Sequence, residues 1–183
     1  MTKAPELQYA ALPLDADDIR DLRSDHAGEH GAVAIYIGML DVTRDPGLRR
    51  FARRHLLAES RHLKFFQRFL PASGKSRLLP VWWLAGWLLG AGSALVGPRA
   101  AYRTVAAVES FVERHYSAQI DSMRVRPGLE PLAARLAQFC ADEVHHREDA
   151  LRHGAQEAGI AGRLWSAMIG GGSALGVLVA RRV

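Results

Sequence analysis

The sequence predicts an all-α fold: four amphipathic helices in a bundle, one long apolar crossover between the second and third, and an apolar helix at the C-terminus. Three observations predict it. Apolar residues recur at alternating steps of three and four in four separate segments, the period of one face of an α-helix. Turn signals group those segments into two closely linked pairs, with residues 71–97 between the pairs. Two uncharged blocks, Leu78 to Gly97 and Leu164 to Ala180, contain all four Trp of the chain, Trp82, Trp83, Trp87 and Trp165.

The first stripe runs Ile19, Leu22, His26, Glu29, Val33, Tyr36 and Leu40, with Asp17 and Asp18 as expected N-cap residues. Asp45-Pro46-Gly47 is a turn. The second stripe is Leu48, Ala52, His55, Glu59, His62, Phe66 and Phe69, ended by Pro71 and Gly74. Beyond the crossover, Pro98 can open the third helix, whose stripe is Tyr102, Val105, Glu109, Val112, Tyr116, Gln119 and Met123. Arg126-Pro127-Gly128 is a second turn. The fourth stripe is Leu132, Leu136, Phe139, Glu143, His146, Ala150 and His153, followed by Gly154. Short links make each pair an antiparallel hairpin, and a single long connection between hairpins is ferritin-like connectivity. The expected organisation is one domain over residues 1–183. Residues 1–16 form an N-terminal tail, 71–97 a membrane-interacting crossover and 164–183 an apolar C-terminal segment.

With 183 residues, 49% apolar and 23% charged, the chain is neither disordered nor fibrous. The lone Cys140 excludes an intramolecular disulfide framework and cysteine-cluster zinc sites. The first twenty residues hold no long apolar core, so no signal peptide is expected. The net charge is +5, but no nucleic-acid-binding motif accompanies it, and nucleic acid is not an expected partner.

Each apolar stripe carries an acid near its middle: Glu29, Glu59, Glu109 and Glu143. A lone ionised carboxylate in a core is costly, and four together repel one another. No Lys or Arg lies on these stripes to balance them. The two Glu-x-x-His pairs, Glu59-His62 and Glu143-His146, each put a carboxylate and an imidazole on one helix face. Together with Glu29 and Glu109 they complete the six-ligand set of a carboxylate-bridged di-iron or di-manganese bundle. Ferroxidase, manganese-catalase and oxygenase chemistry share this spacing, and a non-enzymatic membrane-bound carrier or assembly protein is the rival from another class. The Trp-rich blocks favour an enzyme acting on a lipid.

The same blocks constrain topology. Glu29, Glu59 and His62 precede the first block, and Glu109, Glu143 and His146 follow it. A single span there would separate the two halves of one site by about 30 Å. The block is therefore expected to lie in the membrane interface or to double back within one leaflet, with a core helix or an apolar interface between copies as competing uses. Trp82, Trp83 and Trp87 suit such an interface, and Arg77, Arg99, Arg103, Arg163, Arg181 and Arg182 flank the blocks as expected contacts for lipid phosphates.

The residues also resemble a known family. Asp25-His26-Ala27-Gly28-Glu29-His30-Gly31-Ala32 followed by Ile35-Tyr36 is similar to the opening helix of the Coq7 family, the demethoxyubiquinone hydroxylases of ubiquinone biosynthesis. Glu59-Ser60-Arg61-His62-Leu63, Val108-Glu109 with His115-Tyr116-Ser117-Ala118-Gln119-Ile120, and Asp142-Glu143-Val144-His145-His146 resemble its later motifs in order. The resemblance covers about residues 17–183. It implies a ferritin-like monooxygenase with two Fe ions per chain, held by Glu29, Glu59, His62, Glu109, Glu143 and His146. The implied substrates are a polyprenylated demethoxyubiquinone or its quinol, O2 and a reductant, either quinol or NADH. His115 and Tyr116 match a family pair linked to electron and proton delivery. Tyr36, Tyr116 and Gln119 are candidate hydrogen-bonding groups for the ring. Departures are Met39 after Gly38, where Gln is expected, and Ser110, where an acid is common; His30 and His145 flank ligands without being family hallmarks. None removes a ligand. Glu109 and Glu143 are expected to alternate between bridging and terminal binding. The implied location is the cytoplasmic face of a cell membrane, or the matrix face of a mitochondrial inner membrane. Other ubiquinone-biosynthesis proteins and a second copy of the chain are open as partners.

Overall fold

The computed structural model describes residues 7–155 and 159–183, so residues 1–6 of the expected N-terminal tail lie outside the described residues. Six helices follow one another: α1 (Ala16–Val42), α2 (Pro46–Phe69), α3 (Leu79–Val96), α4 (Pro98–Arg124), α5 (Glu130–Ala150) and α6 (Ile160–Ala180), with no strand among the described residues. The four stripes become α1, α2, α4 and α5, the two antiparallel hairpins of a ferritin-like bundle. The start of α1 corrects the expected cap. Asp15 accepts from the backbone N–H groups of Asp17 and Asp18 at 2.8 and 2.9 Å, and Asp18 accepts back from Asp15 N. This reciprocal box satisfies donors that the first turn leaves free. At α2, Asp45 caps Leu48 N with Pro46 in the first turn.

Two apolar clusters fill the ends of the bundle. One holds Tyr36, Met39, Leu48, Phe51, Tyr102 and Val105. The other holds Leu22, Phe66, Phe69, Ile120, Leu132 and Leu136. The acids of the four stripes lie between these clusters.

The crossover does not double back. It is one continuous helix, α3, packed along α1 in the same direction. The contact is backbone against backbone: a Cβ at Gly86, Gly90 or Gly38 would overlap the backbone of Gly31, Ile35 or Trp87 respectively. Gly97, at φ 134°, makes the reversal into α4 in a region that L side chains rarely adopt. Helix α6 runs antiparallel to α1. Trp165 Nε1 donates to Thr104 Oγ1 at 2.9 Å near the start of α4, and Arg181 at the far end pairs with Asp17 and Asp21 of α1. Arg181 therefore has carboxylate partners inside the protein, where the sequence suggested lipid phosphate.

Helices α3 and α6 together cover the groove between α1 and α4. Their outer faces leave Val81, Trp83, Leu84, Leu88 and Leu95, and Leu164, Met168, Leu175 and Leu178, exposed. By length and composition alone, both are apolar enough to cross a membrane.

Candidate metal centre and its cavity

Each stripe turns one acid toward the bundle axis because its period matches the helical repeat, and the packing of the helices against one another brings the four acids to the same level. All six expected ligands are buried. Their donor atoms form two groups, each with its atoms within 4.8 Å of one another: Glu29, Glu59, His62 and Glu143, and Glu59, Glu109, Glu143 and His146. Glu59 and Glu143 belong to both. The shared pair is thus one acid from each Glu-x-x-His helix, and Glu109 belongs to one group only.

Hydrogen bonds around the cluster follow a pseudo-two-fold relation between α1 and α4. Tyr36, seven residues after Glu29, donates its O–H to Glu109 Oε1 at 3.2 Å. Tyr116, seven residues after Glu109, donates to Glu29 Oε1 at 2.6 Å. His62 Nε2 lies 3.0 Å from Asp142 Oδ2, which leaves Nδ1 directed at the carboxylates, 3.1 Å from Glu143 Oε1. His146 Nδ1 lies 2.9 Å from Glu59 Oε1 and 3.2 Å from Glu143 Oε2.

The charges in this cluster are unbalanced. Burial, then the neighbouring Glu59 and Glu143, pushes the Glu29 carboxyl well above its ordinary value. Glu109 is raised the same way, and Glu59 is raised by burial and Glu143. Burial also opposes ionisation of Glu143, but hydrogen bonds from His146 and His62 outweigh it and hold Glu143 at about 2. Burial disfavours the charged form of His146, yet its bonds to Glu143 and Glu59 lift it to about 11. Burial and the adjacent carboxylates raise Tyr36 and Tyr116, which keeps both as proton donors. Without added positive charge, the cluster must take up protons.

The donor set fits a pair of divalent ions. Glu29 Oε2 is buried with no hydrogen-bond partner, and the Nδ1 atoms of His62 and His146 both face carboxylate oxygens within 3.2 Å, an arrangement that offers lone pairs to a cation. Carboxylate and imidazole donors suit iron or manganese, and neither donor group contains a thiolate that would favour zinc or copper(I).

A pH-dependent stability follows. Glu29, Glu59 and Glu109 hold protons in the folded chain that the unfolded chain releases near 4.5. Their contribution is complete below that value and is lost as pH rises through the folded values. His62 and His146, raised above 6.5, act in the same direction. His26 and His55, lowered by burial to about 4, oppose it only below 6.5. Glu143 opposes it only below 4.5. Between pH 6.5 and 9 the chelated protein should therefore lose stability steeply, and the Mn(II)-loaded protein much less. Urea midpoints at the two pH values check this; equal slopes with and without metal would contradict it.

A cavity of about 370 Å³ reaches the carboxylates from the α3–α6 side. Glu29, Glu59, Glu109 and Glu143 lie at its inner end, with walls from Gly28, Ile35, Val108 and Val112, Trp82 and Leu89 of α3, and Met168 and Ile169 of α6. His115 and Tyr116 also line it. His115 stands at a boundary, since it lines a second cavity beside Asp17, Asp21 and Arg181 as well. Its Nε2 lies 3.2 Å from Asp25 Oδ1, which Gln119 Nε2 also reaches at 2.8 Å.

The candidate ring and membrane contacts divide. Trp82 and Tyr116 line the cavity. Tyr36 and Gln119 do not; their polar groups bind Glu109 and Asp25. Trp83 points outward at 41% exposure, and Trp87 Nε1 donates to Asp41 at 2.8 Å. Sequence reasoning missed Asp142, His55 and Asp149 as parts of the centre. Asp142 precedes Glu143 by one residue and lies off the stripe. His55 was visible as a stripe histidine one turn before Glu59, but its buried partner Asp149, at 2.8 Å, comes from another helix.

Comparison with known proteins agrees with this geometry. The family described as ubiquinone biosynthesis protein COQ7 matches residues 19–180. A 3-demethoxyubiquinol 3-hydroxylase of Rhodospirillum rubrum is 39% identical over 168 residues, covering 90% of this chain and 77% of the relative. A mitochondrial NADPH-dependent 3-demethoxyubiquinone 3-hydroxylase of Rattus norvegicus is 34% identical over 141 residues, covering 75% of this chain and 65% of the relative. The Homo sapiens protein of the same name is 32% identical over 143 residues, covering 76% and 66%. The chain thus spans slightly under two thirds of the two mammalian relatives' length.

Proposed function

Because the chain belongs to the COQ7 family of ubiquinone-biosynthesis proteins, we propose that it hydroxylates the ring of a polyprenylated demethoxyubiquinol, using O2 and two irons. The observation that carries this reading is the apolar cavity running from between α3 and α6 to four buried carboxylates. His62 and Glu29 would hold one iron, His146 and Glu109 the other, and Glu59 and Glu143 would be shared between them. When bound, the metal pair supplies the redox chemistry by which one atom of O2 enters a ring C–H bond and the other leaves as water, with two electrons from a quinol or a nicotinamide nucleotide.

The chain's own residues bind, orient and dry the substrate. Ile35, Leu89, Val108 and Val112 wall the cavity and exclude water from the reacting ring. Gly28 leaves room beside Glu29 for a flat ring, since a Cβ there would meet nothing within 4 Å. The tail would leave between Trp82 of α3 and Met168 of α6. Tyr116 keeps its hydroxyl proton and donates a hydrogen bond to Glu29 Oε1. Burial lowers the His115 pKa, but its bond to Asp25 outweighs this and raises it, so its Nε2 is suited to hold a proton at the boundary between the two cavities. The direct test is product analysis with a prenylated demethoxyquinol, iron and 18O2. One labelled oxygen in the ring is expected, and none without O2. Turnover of Fe(II) or peroxide with no quinone product would assign the centre to a ferroxidase or catalase instead.

The apolar outer faces of α3 and α6 would rest in a membrane surface. A span by α3 would carry the stretch of α1 packed along it, with Asp25, Glu29 and Asp41, into the bilayer, which is far costlier than lying flat. Replacing Leu84, Leu88 and Met168 with Ser should therefore weaken liposome binding. The three are exposed, so folding should be spared. Each large apolar side chain adds about 1.5–3 kcal/mol when buried, and a loss of at least tenfold is expected. Flotation equal to the unmodified protein would argue against this membrane face.

A further inference from the structure

The pseudo-two-fold relation that Tyr36 and Tyr116 obey fails in the surroundings of the two histidines. Four residues before its Glu, α2 carries His55 where α5 carries Phe139. One residue before, α2 carries Ala58 where α5 carries Asp142. Six residues after, α2 carries Phe65 where α5 carries Asp149. These differences fall together in space. His62 packs against Phe139 at 4.3 Å between ring centroids, Phe139 packs against Phe65 at 5.2 Å, and Asp142 accepts from His62 Nε2. His146 packs against His55 at the same 4.3 Å, and His55 is held by Asp149, which Arg54 binds at 2.5 Å. His146 Nε2 has no carboxylate partner among the described residues, because the position equivalent to Asp142 is Ala58.

Resting on the metal-centre reading above, we propose that the two metal positions are inequivalent and fill in order. The position of His62 and Glu29 binds first and tighter, and that of His146 and Glu109 binds second. Asp142 and the His55–Asp149 pair are the positioning residues that set this difference. An imidazole that donates its outer N–H to a carboxylate is fixed in one tautomer and orientation and is a more basic ligand. His62 has that support directly. On its outer side His146 packs against the ring of His55, which is fixed in turn by Asp149 and Arg54. The two halves share Glu59 and Glu143, so the shared acids cannot produce the difference.

The test is a titration of the chelated protein with Mn(II), followed by calorimetry and by electron paramagnetic resonance, which separates an isolated ion from a coupled pair. The unmodified protein should bind in two steps, with an isolated-ion signal at one equivalent that gives way to a coupled signal at two. Asp142→Asn changes a half-exposed side chain, so the fold should tolerate it. It should weaken the first step by about 10–100-fold and leave the second within a few fold. Asp149→Asn keeps the side-chain shape and should weaken only the second step. Two equal steps in the unmodified protein, a coupled signal from the first addition, or an Asp142→Asn variant that weakens both steps alike would overturn the proposal. If the unmodified protein binds no Mn(II) and no Fe(II), the metal-centre reading itself falls, a result distinct from two equal steps.

Discussion

Glu59→Ala and Glu143→Ala should each remove both metal equivalents and hydroxylation, whereas Glu29→Ala and Glu109→Ala should each weaken one position. The reason is geometric: Glu59 and Glu143 are the acids common to both donor groups, and Glu29 and Glu109 each serve one. A loss of about 1,000-fold in rate corresponds to about 4 kcal/mol, within the several kcal/mol that a bound metal contributes to charge stabilisation. Stability should move the opposite way. Each of these substitutions except Glu143→Ala removes a buried carboxyl whose ionised form is disfavoured by burial and by the other acids, so Glu59→Ala should leave the chelated protein as stable or more stable near pH 8. Loss of metal together with retained or increased stability separates a ligand from a merely structural residue. Two irons per chain in Glu59→Ala, with normal turnover, would sink the metal assignment.

A prenylated ring should turn over far faster than the same ring bearing only a methyl group, and Gly28→Leu should abolish turnover of both while leaving metal content intact. The cavity offers little polar anchorage. Tyr36 and Gln119 are turned to carboxylates, and the Tyr116 hydroxyl is committed to Glu29. Orientation must come from shape and from the tail, where each buried CH2 contributes about 0.8 kcal/mol relative to water. Binding energy away from the reacting carbon holds the ring in place, so removing the tail should lower kcat as well as raise KM. Gly28 has open space at its Cβ and lines the cavity next to Glu29, so Leu there fills the ring's place without displacing another side chain. Gly28→Ala should be tolerated. The assay is run in detergent to remove simple partitioning; equal kcat and KM for the two rings would count against the lipid-tail role of the cavity.

The bundle and its candidate ligands were legible because helical periodicity is a local property. Once Ile19, Leu22 and His26 define a face, Glu29 is on it, and the same holds for Glu59, Glu109 and Glu143. Turn residues ended the helices within a few positions, although the α1 cap fell on Asp15 and not on Asp17 or Asp18. The apolar crossover was legible as composition but not as shape. Its Gly86 and Gly90 act through the backbone of α1, a partner some fifty residues earlier that hydropathy does not reveal.

Sequence by itself determined that six donors face one axis, that their charge needs a cation, and that two apolar blocks accompany them. Only the tertiary structure decided that Glu59 and Glu143 are the shared acids, that Tyr36 and Tyr116 cross over to Glu109 and Glu29, that α3 and α6 enclose a cavity above them, and that His62 and His146 are supported differently. The division has one physical cause. A helix fixes the direction of each side chain relative to its own axis every 3.6 residues. The rotation and axial offset of one helix against another come from side chains and glycines packing between distant segments, and these decide which oxygen meets which nitrogen.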